Sequence, residues 1–263
     1  MRMRPILPLL LAGTVLLPPL DLVAQDPVAL PAGAELDVAE PLVTPAGAHL
    51  ASGSWSYRVL LSRGGNTIEL ARRTLTIGPS SADSTTTLVV DETDSHGQVM
   101  ADTTFLSTIG LSPRRRSANM GPLRLMLRFG VDSVCGTMSA PGSDTVQVSL
   151  PVVPGLVASG GVFESLLTVA PLGEGWSGTA VQVAPGPNGT SLVPATIRIL
   201  AADSVTVPAG SFAVWKAVVT TGGVEQWLWL DRTSGRLVRS EMKPPQASDV
   251  VYVTELTAAA PEP

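Results

Sequence analysis

The chain has 263 residues, a formal net charge of −5 at pH 7 and a single cysteine. The acidic balance argues against a nucleic-acid-binding protein, which needs a basic footprint, and it disfavours binding to an anionic lipid surface. One cysteine cannot form an intrachain disulfide, so the fold must be stabilised by its core, and we expect Cys135 to be a buried, unreactive thiol.

The first 24 residues have the pattern of a secretory signal peptide. A basic start at Arg2 and Arg4 precedes an apolar stretch, and small residues then lead to a cleavage point after Ala24. Prolines and Asp21 interrupt the apolar stretch, so it does not read as a membrane-spanning helix. No cysteine stands where a lipid would be attached. We therefore expect an exported protein, periplasmic or extracellular, with no transmembrane segment in the mature chain.

The remaining chain divides into three parts by composition and by the spacing of its apolar residues. Residues 25–54 are rich in Pro, Ala and Gly, which predicts an extended N-terminal arm, and residues 258–263 predict a disordered tail. Residues 55–257 alternate apolar with polar positions and carry Gly, Pro or Asp turns roughly every eight to twelve residues. Such short turns join antiparallel strands, so we expect one all-β domain, a strongly curved antiparallel sheet or open β-barrel of about 10–12 strands.

Two segments of this domain depart from the strand pattern. Residues 110–121 include Arg114-Arg115-Arg116 and lack alternation, which predicts a solvated loop, with a clamp for an anionic ligand as the alternative. Residues 163–169 repeat apolar side chains at i, i+3 and i+4, which predicts one short helix.

The densest strand signals lie in residues 195–256, with a first turn predicted at residues 202–204. Within residues 224–231, Trp227 and Trp229 point to one side and the leucines that follow each of them to the other, because side chains alternate along a strand. Both faces carry apolar bulk, so this strand is covered on both sides or lines a cavity.

Four aromatic side chains of this region are candidates for ligand binding: Phe212, Trp215, Trp227 and Trp229. Phe212 and Trp215 lie on opposite faces of their own strand. If Trp215 shares a face with Trp227 and Trp229, the hairpin carries an aromatic cluster on one side. The residues alone leave open whether these rings pack in the core or line a groove.

Few residues could support catalysis. His49 and His96 are the only histidines, neither has a His or Glu partner at helical spacing for a metal, and no nucleophile elbow accompanies them. Glu225, Asp231 and Glu241 lie on adjacent predicted hairpins, and the sequence leaves open whether any carboxylate pair converges. The sequence therefore favours a non-enzymatic protein with no cofactor and no metal site.

Several short motifs occur in a recognisable order: Trp55-Ser-Tyr57, Pro171-Leu-Gly-Glu-Gly175, Val207-Pro-Ala-Gly-Ser-Phe212, Trp229-Leu-Asp231 and Gly235-Arg-Leu-Val-Arg239. This order resembles a bacterial family of exported proteins of unknown function, predicted to share the half-barrel shape of lipoprotein carriers such as LolA and LolB. The resemblance implies a strongly curved antiparallel sheet with an apolar concave face and no known catalytic residues. It does not imply a membrane tether, because the lipid-attachment cysteine is missing.

Two functions of different classes are compatible with these features. In the first, the curved sheet encloses a pocket for an apolar or amphipathic envelope component, such as a lipid or an acyl chain. In the second, the sheet is a solid-cored structural or assembly module that binds an envelope protein at an edge strand and has no small-molecule pocket.

Overall fold

The computed structural model describes residues 41–80, 83–186, 189–245, 247 and 249–261. The predicted signal peptide, residues 1–24, and the first part of the predicted arm lie outside the described residues.

Within these residues, all strands belong to one sheet of fifteen strands. In chain order they are β1 (Gly53–Arg63), β2 (Asn66–Ser80), β3 (Asp83–Ser95), β4 (Gln98–Ser107), β5 (Pro113–Met120), β6 (Leu123–Phe129), β7 (Ser133–Ser139), β8 (Val146–Pro151), β9 (Leu156–Val157), β10 (Ser177–Gly186), β11 (Gly189–Val207), β12 (Gly210–Thr221), β13 (Val224–Asp231), β14 (Leu237–Met242) and β15 (Val250–Pro261). One helix, α1 (Gly160–Leu167), lies between β9 and β10.

The sheet is curved and open, and short hairpins account for most of its topology. Its order is β8-β7-β6-β5-β4-β3-β2-β1-β15-β14-β13-β12-β11-β10-β9, so the first and the last described strands, β1 and β15, pair with each other. Every pair is antiparallel except the short β9–β10 pair. The predicted all-β class with a strongly curved antiparallel sheet and one short helix is confirmed, although the strands number fifteen and the sheet does not close into a barrel.

Side chains alternate between the two faces along most strands. In β6, Leu125, Leu127 and Phe129 are buried while Arg124 and Arg128 are exposed. This alternation favours a strand, because it places the apolar side chains on one face, which is buried, and most of the polar side chains on the opposite face, which lies in water.

The arginine-rich segment predicted as a solvated loop is strand β5, so that prediction was wrong. Arg114 and Arg115 are exposed, but Arg116 is 0 % exposed. A run of three arginines is compatible with a strand here because Arg116 points inward. The buried carboxylate of Asp102 on the neighbouring strand accepts its hydrogen bonds.

Three smaller predictions also differ from the structure. Residues 202–204 form no turn, since β11 continues through them with an irregularity between Ile199 and Ala201. Cys135 is exposed rather than buried, because Val134 takes the inward position of β7. Residues 258–261 belong to β15 and pair with β1, whereas they were predicted as part of a disordered tail.

Helix α1 lies against the inner face of the sheet, and all eight of its residues are buried. It starts earlier than the predicted 163–169 because the Ser159 side chain accepts a hydrogen bond from the Val162 amide and caps the helix. At the other end, the Thr168 hydroxyl donates to the Ser165 carbonyl at 2.7 Å. The caps, rather than the apolar spacing, therefore determine where the helix begins and ends.

Buried ion pairs hold this helix to the sheet. Arg73 of β2 donates to both carboxylate oxygens of Asp91 at 2.7 and 2.8 Å, and its Nη2 lies 2.7 Å from a Glu164 carboxylate oxygen of α1. A Cβ at Gly161 would lie 2.7 Å from the Asp91 carboxylate, so only glycine lets the helix approach this closely.

A second buried cation connects strands from opposite parts of the sheet. Arg116 donates to Asp102 of β4 and also to the carbonyls of Ala158 and Val183, at 2.7 and 2.8 Å. Ala158 precedes α1 and Val183 belongs to β10, so one guanidinium joins β4, the start of the helix and β10. The described interior is therefore filled by a helix and by paired charges.

Candidate ligand-binding site

A cavity of about 300 Å³ lies where β1, β12, β14 and β15 meet the turn between β13 and β14. Its walls are mainly apolar, and its polar side chains come from that turn and from Ser52, which precedes β1. The lining residues are Ala51, Ser52, Trp55, Phe212, Asp231, Ser234, Arg236, Val238 and Leu256. Trp55, Val238 and Leu256 are buried, whereas Phe212 and Arg236 are half-buried, so those two residues remain accessible from solvent.

Arg236 stacks on the indole of Trp55, with its guanidinium carbon 3.2 Å from the ring centroid. Such stacking leaves the edge of the guanidinium plane available for hydrogen bonds. The Nη1 atom of Arg236 is nevertheless buried with no hydrogen-bond partner in the described structure. Burial lowers the pKa of Arg236, while nearby Tyr57 and Asp231 act in the opposite direction.

The turn that carries Arg236 is tightly organised. The Asp231 amide donates to the Arg236 carbonyl, and the Gly235 amide donates to the Asp231 carbonyl, each at 2.8 Å. One Asp231 carboxylate oxygen accepts from the amide and the hydroxyl of Ser234, at 2.9 and 2.6 Å. The Asp231 side chain therefore stabilises the turn, which is a structural role.

Gly235 places this turn directly on the end of helix α1. Its φ of +67° is a conformation that favours glycine, and a Cβ there would lie 2.6 Å from the Leu167 carbonyl oxygen. The wall of the cavity is therefore fixed to the helix that fills the interior of the sheet.

Of the four predicted ligand-binding residues, the structure places Phe212 in this cavity and separates the others from it. Trp215 lies opposite Leu230 on β13, whereas Trp227 lies opposite Val218 and Trp229 opposite Lys216. Directly opposed residues share a face, so Trp215 faces away from Trp227 and Trp229 and the single aromatic cluster does not form. The length of the turn determines how β12 and β13 pair. With Gly222 and Gly223 in the turn, Thr221 lies opposite Val224, and this first pair fixes all the other pairs of the two strands.

Trp227 and Trp229 lie next to a row of charged side chains on their face of the sheet, formed by Lys216, Arg239 and Glu241. The Lys216 ammonium lies 4.9 Å from the Trp227 ring centroid and 5.6 Å from that of Trp229. Arg239 of β14 lies 5.7 Å from Trp229 and pairs with Glu241 at 2.6 Å. Cationic side chains therefore cover part of the apolar surface of these two rings.

Trp215 has its own cationic neighbour, because the Arg232 guanidinium carbon lies 4.5 Å from its ring centroid. Trp215 and Trp229 are half-buried and pack against the core, which gives both rings a structural role.

Two carboxylates lie opposite each other in the sheet, and neither belongs to the group Glu225, Asp231 and Glu241 named in the sequence analysis. Asp91 and Asp102 lie opposite each other on β3 and β4, and each is paired with its own arginine. Burial raises the pKa of Asp102, and burial together with Asp91 raises that of Glu164. The three carboxyl groups are buried, so they form a structural network and no open catalytic site.

Within the described residues, no group of three or more His, Cys, Asp or Glu side chains is arranged to hold a metal ion. Nor does the described part of the chain contain a helix long and apolar enough to span a membrane.

Sequence reasoning used Trp55 only as part of a motif and missed Arg236 as a site residue. Both residues belong to motifs that the sequence analysis named, at residues 55–57 and 235–239, and the fold brings these two motifs together. Their occurrence in motifs was the one indication in the sequence that they could share a site. Their 181-residue separation in the chain conceals that contact from any local pattern.

No known protein family matches the chain, and no curated protein matches it. Among solved structures, it is similar to a β-barrel-like protein of the domain of unknown function DUF1849 from Brucella abortus, with a TM-score of 0.54, 14 % identity and coverage of 82 % of this chain and 99 % of that one. At this identity the similarity shows the fold alone.

The hypothetical lipoprotein YmcC from Escherichia coli is also matched, at 10 % identity over 80 % of this chain and 85 % of that one. Its TM-score of 0.31 is too low to support an argument. The likeness to LolA and LolB inferred from the sequence motifs stays a prediction.

Proposed function

We propose that the protein is an exported, non-enzymatic component of the bacterial cell envelope that binds an apolar or amphipathic molecule, such as a lipid or an acyl chain. The cavity between Trp55 and Phe212 carries this proposal, because it combines apolar walls with a few polar side chains, as small-molecule sites do. The motif resemblance to lipoprotein carriers supports an acyl chain as the apolar part of the ligand.

The size of the cavity limits what it can hold. At about 300 Å³ the cavity lies at the lower end of the volumes that are usual for small-molecule sites. Helix α1 and the ion pair between Arg73 and Glu164 occupy part of the interior next to the sheet. The site therefore suits one end of a lipid, or a short amphiphile, and not a whole diacyl lipid.

Binding can be tested with the uncharged fluorescent probe N-phenyl-1-naphthylamine, displaced by octanol. We expect saturable enhancement of probe fluorescence with the wild-type chain, and a loss of affinity of about tenfold in Phe212→Ala, because truncation removes an aromatic wall. The matched control is Phe105→Ala, since Phe105 is also a half-buried phenylalanine on a strand but lies outside the cavity. Equal affinities in both variants would contradict the proposed site.

A second function is favoured by the filled interior, which fits a solid-cored assembly module. β8 is a terminal strand of the sheet and pairs with β7 alone among the described strands, and β11 approaches it at Val146, so the rest of this edge is the part that could pair with an envelope protein. Extraction of the protein purified from its native host separates the two functions. A co-purifying lipid whose amount falls in Phe212→Ala supports the first, and the absence of both lipid and probe binding supports the second.

A further inference from the structure

We infer that the ligand of this cavity carries an oxyanion, a carboxylate or a phosphate, that binds Arg236 while its apolar part lies between Trp55 and Phe212. This inference rests on the proposed function and adds the chemistry of the headgroup to it.

The first observation is the isolation of the Arg236 charge. Among the described residues that line the cavity, Arg236 is the one cation. No described acidic side chain forms an ion pair with it within 4.0 Å, and its Nη1 is buried without a hydrogen-bond partner. A buried cationic donor with no acceptor is costly, whereas buried arginines elsewhere in this chain are paired.

The second observation concerns the carboxylate that shares the cavity. Asp231 also lines the cavity, and one of its carboxylate oxygens accepts two hydrogen bonds from Ser234 of the same turn. These bonds hold the Asp231 carboxylate against its own turn, and no described hydrogen bond joins it to Arg236.

The third observation concerns orientation. The Trp55 ring covers one face of the guanidinium, and the short turn fixes the backbone through its two 2.8 Å hydrogen bonds. A stacked, planar guanidinium presents its N–H groups in one plane, which matches the two oxygens of a carboxylate or phosphate. Beyond that headgroup, Phe212, Val238 and Leu256 supply apolar contacts. The site therefore has the two regions that an anionic amphiphile requires.

The test compares ligands of equal chain length and different headgroup. Octanoate, octyl phosphate, octanol and octylammonium compete with the uncharged probe against the full chain. We expect octanoate or octyl phosphate to bind about tenfold or more tightly than octanol, and octylammonium to bind most weakly, because a charge-assisted hydrogen bond favours the anion. A preference between the two anions identifies carboxylate or phosphate as the headgroup.

The variants are Arg236→Leu and Arg236→Gln, with Arg232→Leu as the matched control. Arg232 belongs to the same turn and also stacks on a tryptophan, Trp215, but it does not line the cavity. The preference for anion over alcohol should disappear in the Arg236 variants and persist in the control. The headgroup comparison on the wild type needs no variant, so it decides the question even if an Arg236 variant fails to fold.

Failure of the inference differs from failure of the proposed function. If octanol and octanoate bind equally well and the Arg236 variants change neither affinity, the anion site is refuted while the apolar site stands. If neither ligand binds the wild-type chain, both are refuted.

Discussion

Replacement of Arg116 by methionine tests whether the buried ion pairs hold the sheet around the helix. The guanidinium is completely buried and makes five hydrogen bonds, three to the Asp102 carboxylate and one each to the Ala158 and Val183 carbonyls. Arg116→Met leaves a buried carboxylate unpaired, which costs about 3–5 kcal/mol of unfolding free energy, and each orphaned carbonyl adds about 1 kcal/mol or more. We therefore expect the variant to lose about 5 kcal/mol, much of the stability of an average domain.

Urea denaturation at pH 7, followed by tryptophan fluorescence, measures this loss. The control is Arg115→Met, whose side chain is exposed and lies over Phe105, and we expect it to stay within about 1 kcal/mol of the wild type. The double variant Arg116→Met with Asp102→Asn should be less destabilised than the two single changes added together, because the uncompensated charge is removed. A midpoint for Arg116→Met close to that of the Arg115 control would refute the structural role of the pair.

Three further predictions follow from burial and pairing. Cys135 should react with a thiol-specific reagent in the native chain as fast as in urea, since its side chain is exposed; slow native labelling would contradict its position. Trp227→Ala should cost about 1–2 kcal/mol, less than the roughly 3–5 expected of a core tryptophan, because the ring is half-buried beneath Lys216; thermal denaturation measures the difference. Burial, with Asp91 adding to it, raises the pKa of Glu164 above its ordinary 4.5, so its contribution to stability is complete below pH 4.5 and is lost as the pH rises. Urea midpoints at pH 4 and pH 7 should therefore differ less in Glu164→Gln than in the wild type, and an equal difference would count against the shift.

The strands could be predicted from the sequence because their cause is local. Alternation with period two and short Gly or Asp turns occur within each hairpin, as in β6, where buried Leu125 and Leu127 flank exposed Met126. A fold class follows from such repeats without any long-range information. The same local evidence could have fixed the face of Trp215, since the Gly222–Gly223 turn determines the register of β12 against β13.

The errors arose where a residue's partner lies far away in the chain. Arg116 was assigned to a solvated loop because a run of arginines normally lies in water, and the carbonyl of Val183 that accepts from it is 67 residues away. Arg236 gives no local signal either, because Trp55, on which it stacks, is 181 residues away in the sequence. Local sequence patterns predict the secondary structure. They do not show which buried charged side chain forms an ion pair or a hydrogen bond with which distant residue.

The buried charges also explain why the candidate site lies at the end of a hairpin and not in the concave face. Arg73 fixes α1 through Glu164, and the last turn of the helix occupies the space next to Gly235. The turn at residues 231–236 is thereby held against the helix, which positions Arg236 over Trp55. The end of α1 therefore gives this turn a rigid support. Since preorganised charges bind more tightly than mobile ones, the filled interior and the small cavity are parts of one arrangement.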